Sequence, residues 1–366
     1  MDPPLPTSGT YVSSIRESCK LIREKYNIKI SQEGVSSFLT NLKAEDYQRL
    51  KSSHGLAFPL KFESAVDELN VICLLSILNF LHGYRLELKA RTGRGAWDTI
   101  TYLVLSLYLS TESYQPLSTA HLASLTKEKL AEFMGLKTHV EKQHETLPIQ
   151  IGEVDQDVKE IVELVYGVIS ETADILQKQK EKSFGSWMER ALTESKADNE
   201  KLLKLLVVNF PAFRDAYEID GQPVYLFKKA LFLLNGISHV FSLPGRPTAP
   251  FQLPDSSPLP IFADNVIPTM LMHHSIFSFE EATEPSVRSL GLQYTTSSFP
   301  SPDVPPRLEK KHAAILRAAS VDACSVIAKA GNLTEVDVDA YLWAVAKDTK
   351  ELRGVTRWIE RGTIMY

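Results

Sequence analysis

Apolar residues recur at helical spacing along most of this chain. Ile15, Cys19, Ile22 and Tyr26 share one face of a first helix, and Val35, Phe38, Leu39 and Leu42 share one face of a second. Ser64 followed by Asp67 predicts a capped helix start, with a buried helix running to about Phe80 and Gly83 as its stop. The windows VICLLSILNFL (71–81) and TITYLVLSLYL (99–109) read as fully buried central helices, because both are shorter than the roughly 20 residues of a membrane span. Residues 155–182 form a long amphipathic stretch through Val158, Ile161, Val165, Val168 and Ile169.

A further helix stops before Pro211, and PVYLFKKALFLLNGISHVF predicts a helix with Pro223 in its first turn. EIDGQPV, between Tyr217 and Val224, looks like a hairpin turn and marks the one small strand pair expected. Proline-rich loops are expected over 243–260 and 298–306. The helix KKHAAILRAASVDACSVIAKA follows, and Thr334 with Asp337 in TEVD announces the last one. No repeat of fixed length is present. The fold expected is all-α, a single compact multi-helical domain over 1–366, with residues 1–50 contributing N-terminal helices.

Composition narrows the function classes. The 366 residues are 44% hydrophobic and 23% charged, with a formal net charge of −5, which gives no generally basic surface for duplex nucleic acid. Cys19, Cys73 and Cys324 are an odd number, far apart and in helical contexts, so they read as reduced thiols near the core. The N-terminus MDPPLPTSGTYVSS has no basic segment followed by an apolar one, so a cytoplasmic protein without a secretory signal or membrane partner is expected, working as a monomer. His273-His274 and the pair His139 and His144 lack i, i+4 spacing with a flanking acid, so no metal and no cofactor are expected. TGRGAW (92–97) lacks the third glycine or the Lys-Ser/Thr of a phosphate loop, and no nucleophile elbow occurs.

One acid stands out. In PLPIFADNVIPTMLMHH (258–274), Asp264 sits between apolar pairs, just ahead of a helix containing Pro268. If Asp264 were the N-cap, Pro268 would fall at the fourth helical position, where its missing N–H costs a hydrogen bond. Capping by Asn265 or Ile267 avoids that cost, which leaves Asp264 outside the helix and free to point elsewhere. In the last helix Val338, Tyr341, Leu342 and Val345 form the apolar face, Asp339 and Trp343 lie side by side on its flank, and Ala340 and Ala344 fall on the far side. From spacing alone, Asp339 reads either as a carboxylate favouring the helix dipole or as a ligand contact.

The segments LKLLVVNFPAFRD, GQPVYLFKKA, LPIFADNVIPTML and VDAYLWAVAKD, in this order and followed by RGTIMY, resemble the queuosine salvage protein family from roughly His54 to the C-terminus. Members of that family are queuosine 5'-phosphate N-glycosylase/hydrolases, with an all-helical fold similar to that of DNA glycosylases. The resemblance implies hydrolysis of the N-glycosidic bond of queuosine 5'-monophosphate, releasing queuine for salvage into tRNA. It places the catalytic carboxylate on Asp264, a stacking aromatic on Phe262, a binding histidine on His54 and a binding acid on Asp339, with Trp343 beside it. An acid at 339 suits the protonated secondary amine of queuine, and Lys228, Lys229 and Arg214 are the cations to consider for the 5'-phosphate. The chain departs from the family at Ala340 and Ala344, where Tyr and Asp are common, and near Ser76, where an acid is usual.

Overall fold

The computed structural model describes residues 3–51, 56–58, 60–110, 115–143, 146, 148–246, 248–295, 300–301 and 303–366. The fold is all-α: seventeen α-helices are found among these residues, with three two-stranded antiparallel pairs. The chain divides into two compact units, Met1–Lys61 with Leu192–Glu360, and Phe62–Ala191 with Arg361–Tyr366.

In the first unit the helix Tyr11–Lys25 packs against the long helix Lys310–Gly331. Ile15, Cys19 and Ile22 are all fully buried, so the apolar stripe predicted from their spacing is the face that meets the core. The predicted hairpin is present: Ala216–Ile219 pairs antiparallel with Gln222–Tyr225, turning through Asp220 and Gly221, both at positive φ.

Pro223 belongs to the second strand of this hairpin and does not open a helix. A two-stranded ribbon has only edge strands, where a proline without an N–H is tolerated. The following helix begins later, at Lys228, after Phe227 in a left-handed conformation, and runs to Ser242. The last long helix, Glu335–Asp348, is capped by Thr334, whose hydroxyl accepts the Asp337 N–H at 3.1 Å. It is buried on more faces than its heptad pattern predicts. Ala340 and Ala344, expected on the far side, are both buried, and Ala344 packs with Val345, Tyr341 and Leu352.

In the second unit Ser64 caps the helix Ala65–Ile77, its hydroxyl accepting the Asp67 N–H at 3.2 Å. This helix is buried almost all round, as its apolar stretch Val71–Leu75 implies, and Glu68, Asn70 and Ser76 are buried with it. It stops at Ile77, short of Phe80. Leu81 then takes positive φ and Gly83 lies inside the 3-10 turn His82–Tyr84. The helix Ala96–Leu109 packs on it, and the amphipathic stretch forms Gln156–Lys178. Asp155 starts that helix, accepting the Val158 N–H and both Arg91 Nε and Nη2.

Two strand pairs were not expected. His139–Gln143 with Gln150–Val154 is exposed on nearly every residue, so no period-2 alternation marks it, and Lys29–Ile30 with Phe277–Ser278 is too short to carry a pattern. All three cysteines are buried and unbridged, and burial raises each thiol pKa. Among the described residues, no single helix is long and apolar enough to cross a membrane.

Candidate active site

The site is assembled in the first unit, around a buried ion pair. After the turn Pro211–Phe213, the Asp215 carbonyl accepts the N–H groups of Leu226 and Phe227 at 2.9 and 3.1 Å. Its side chain takes the Lys228 N–H at 3.2 Å. Phe227, left-handed and apolar, cannot cap the Lys228–Ser242 helix, and Asp215 fills that role from a distance. Arg317, on the Lys310–Gly331 helix and fully buried, pairs with both Asp215 oxygens at 2.6 and 3.1 Å. It also donates to the Tyr217 hydroxyl at 3.0 Å and the Ala263 carbonyl at 2.8 Å. One guanidinium therefore ties the hairpin, the start of the Lys228 helix and the Phe262-Ala263-Asp264 loop together, with geometry that only a planar fork of donors can meet.

Asp264 lies immediately after that anchor and is 2% exposed. The helix beyond it is Val266–His273, with Asn265 as N-cap and Pro268 at its third position, one of the two arrangements the proline permits. Asp264 thus sits outside the helix, but it is not wholly free, because its Oδ1 accepts the Val266 N–H at 2.6 Å. Asn265 turns its amide inward instead: Nδ2 donates to the Trp358 carbonyl at 2.8 Å.

Asp339 faces this loop from the second turn of Glu335–Asp348 and is 4% exposed. Its Oδ1 accepts the Phe262 N–H at 3.0 Å, which places it two residues along the chain from Asp264. Burial first, and then the Asp264 charge, push its carboxyl up to about 7 against the opposing pull of the Phe262 N–H and Lys228. Lys228 completes the group. It is 3% exposed, and burial lowers its ammonium to about 8, with Asp264 the strongest of the charges opposing that shift. The Phe262 ring meets Phe232 edge-on at 6.0 Å, and Lys228 Nζ lies 6.0 Å from the centre of the same Phe232 ring.

The structure therefore brings Asp264, Phe262, Asp339 and Lys228 together. Lys229, next on the helix, is fully buried, and its pKa is driven well below the usual lysine range by burial and by Lys228. Arg214 donates to the carbonyls of Val207 and Val208 at 3.0 and 3.3 Å. Trp343, one turn beyond Asp339, is half-buried with Lys347 Nζ 5.1 Å from its ring centre. His54 lies outside the described residues. Among the described residues, no group of three or more metal-ligating side chains converges. A polar cavity of about 280 Å³ lies at the far end of the Lys228 helix, where Asn235 and His239 face Asp255, Thr334 and Asp337.

Sequence reading missed Arg317 and Asp215. The signal for Arg317 was its place as a single cation inside the apolar run HAAILRAAS, where an unpartnered charge would be costly. In FRD, Arg214 drew attention for its charge, whereas the neighbouring Asp215 is the residue that organises the site.

Similarity to known proteins covers this same region. The chain is 26% identical over 204 residues to the queuosine 5'-phosphate N-glycosylase/hydrolase of Bos taurus, covering 53% of this chain and 55% of that protein. It is 27% identical over 121 residues to the protein of the same name from Mus musculus, 33% of each chain. The chain thus spans about half the length of the bovine relative and about a third of the murine one. Residues 141–366, a shorter stretch than one beginning at His54, match the family described as queuosine salvage protein. On that match, which includes Asp215, Asp264, Arg317 and Asp339, the chain belongs to the queuosine salvage protein family.

Proposed function

We propose that this chain hydrolyses the N-glycosidic bond of queuosine 5'-monophosphate, releasing queuine and ribose 5-phosphate, with Asp264 as the catalytic carboxylate. The observation that carries this reading is the buried constellation itself: Asp264 fixed by the Val266 N–H, coupled to Asp339, and balanced by Lys228. Breaking a glycosidic bond builds positive charge on the ribose at C1' and O4'. A carboxylate held in a site poor in water stabilises that charge far more than an exposed one does. Phe262 offers an aromatic surface for the base, and Asp339, held against the Phe262 backbone, stands where a base stacked there would be contacted. Lys228 supplies the positive charge on this side of the site, ahead of Lys229 and Arg214. The names of the bovine and murine relatives support the same reaction class.

The test is a product assay. Purified protein is incubated with queuosine 5'-monophosphate and, in parallel, other nucleoside 5'-monophosphates, and free base is measured by mass spectrometry. Release of queuine by wild type and a loss of roughly 10²–10³-fold in Asp264→Asn are expected, the scale seen when a transition-state charge partner is removed. No release from any nucleotide, or equal release by both proteins, rejects the proposal.

A further inference from the structure

Asp264 and Asp339 are two buried carboxylates on one site, and each is held by a single backbone N–H. Val266 N–H binds Oδ1 of Asp264 at 2.6 Å, and Phe262 N–H binds Oδ1 of Asp339 at 3.0 Å. Among the described residues neither acid makes any other hydrogen bond, so each keeps one oxygen for a ligand. The two environments differ. Asp339 is driven towards its neutral form by burial and by the Asp264 charge, and Asp264 is the charge that acts most strongly on Lys228. Two like charges packed together in a dry site do not both ionise, and a pair whose surroundings push them apart divides into an acid and a base.

We propose that Asp339 is the general acid of the reaction, donating its Oδ2 proton to the departing base, with Asp264 beside the ribose. This rests on the N-glycosidase reading above. The C1'–N bond breaks with its electron pair going to the base, the Asp339 proton neutralises that nitrogen, and water adds to C1'. The proton released by the water then restores Asp339, so the sum is one water added across the bond. A neutral Asp339 also changes the part it plays in recognition: it meets the base as a hydrogen-bond donor, not as the counter-ion of the queuine amine.

The charged and titratable groups around Asp339 support the same division. Asp264, from the loop before Val266–His273, disfavours its ionisation, and Lys228, from the Lys228–Ser242 helix, favours it. Cys324, from Lys310–Gly331, feels Asp339 and is itself held as the neutral thiol by burial. On the Ala44–Lys51 helix, Tyr47 feels Asp337, and Asp46 acts on Tyr341. Burial, with the Asp264 charge, holds the Asp339 proton up to about pH 7.

The experiment compares queuosine 5'-monophosphate, whose base needs a proton to leave, with 4-nitrophenyl β-D-ribofuranoside 5-phosphate, whose leaving group does not. Asp339→Asn is expected to lower kcat on the nucleotide by about 10²–10⁴-fold and to abolish the fall in wild-type activity above about pH 7. On the nitrophenyl substrate it should stay within a few fold of wild type. An equal loss on both substrates, or a rise in KM with kcat preserved, overturns the assignment, the latter being the signature of an amine counter-ion. A measurement on wild type alone guards against a variant that fails to fold: the ratio of nucleotide to nitrophenyl turnover should fall tenfold per pH unit above the limb, and a flat ratio overturns the proposal. Should wild type cleave neither substrate, the N-glycosidase reading itself fails, and that outcome is distinct from either result with Asp339→Asn.

Discussion

Arg317 Nε donates to the Ala263 carbonyl at 2.8 Å, one residue before Asp264. Through this bond and the ion pair to Asp215, the position of the proposed catalytic carboxylate depends on a charge that solvent never reaches. Arg317→Met should destabilise the protein by about 3–5 kcal/mol, because it leaves the Asp215 carboxylate buried without its partner. Replacing both, as Asp215→Leu with Arg317→Met, should restore much of that stability while leaving the Ala263 carbonyl unanchored and activity low. Urea unfolding of the single and double variants, read beside queuine release, checks both halves. A double variant with full activity would show that the Ala263 anchor is dispensable.

How much of this was legible in the chain follows from the range of each interaction. The helices that bury one stripe announce themselves, because Ile15, Cys19 and Ile22 repeat at the spacing that the backbone imposes. Pro268 likewise confined the cap to Asn265 or Ile267 by local hydrogen-bond arithmetic alone. The Arg317 pair with Asp215 was out of reach, since 102 positions separate the partners and no period links them. The same holds for the Phe262 N–H on Asp339, 77 positions away. Burial of Ala340 and Ala344 escaped notice for a different reason: a helix enclosed on several sides has no polar face for its pattern to reveal.

Lys228 makes stability depend on pH in a predictable direction. Its folded-state pKa of about 8 lies below the ordinary value of 10.5, so the unfolded chain binds more protons between those values. Stability from this group therefore rises as pH increases from about 8 to 10.5, and below 8 the buried ammonium carries its full cost. At 1.36 kcal/mol per pH unit, that cost is about 3 kcal/mol. Lys228→Met should be more stable than wild type at pH 7 by up to this amount, with the gap closing towards pH 10.5. Unfolding free energies across pH 6–10 measure it, and a gap that does not narrow with pH would contradict the prediction.

Asp339 behaves in the opposite sense. Its pKa is raised from 3.8 to about 7, so the folded protein holds the proton more tightly and stability falls as pH rises through that window. Asp339→Asn removes the titration. Wild type and variant should be closest in stability near pH 4, and by pH 8 the variant should lead by up to about 4 kcal/mol. The same substitution is expected to lower catalysis, so greater stability with less activity at pH 8 is the combined outcome to look for. Thermal melts at pH 4, 6 and 8 suffice.

Ala344 tests what the enclosed last helix will accept. It lies in a hydrophobic cluster with Val345, Tyr341 and Leu352. Ala344→Asp places an acid into that apolar setting, where burial disfavours its ionised form. The protein should lose about 1–3 kcal/mol at pH 4 from crowding. At neutral pH the loss should be larger, because burial raises the new carboxyl's pKa and its ionisation then opposes folding. Ala344→Leu, which adds volume without charge, should cost a similar amount at both pH values. Chemical unfolding of the two variants at pH 4 and 8 separates volume from charge: a pH-independent loss in Ala344→Asp would mean that the new carboxylate reaches water or a partner. In that case the alanine does not reflect a closed apolar contact, and the acid could be reintroduced as a recognition group.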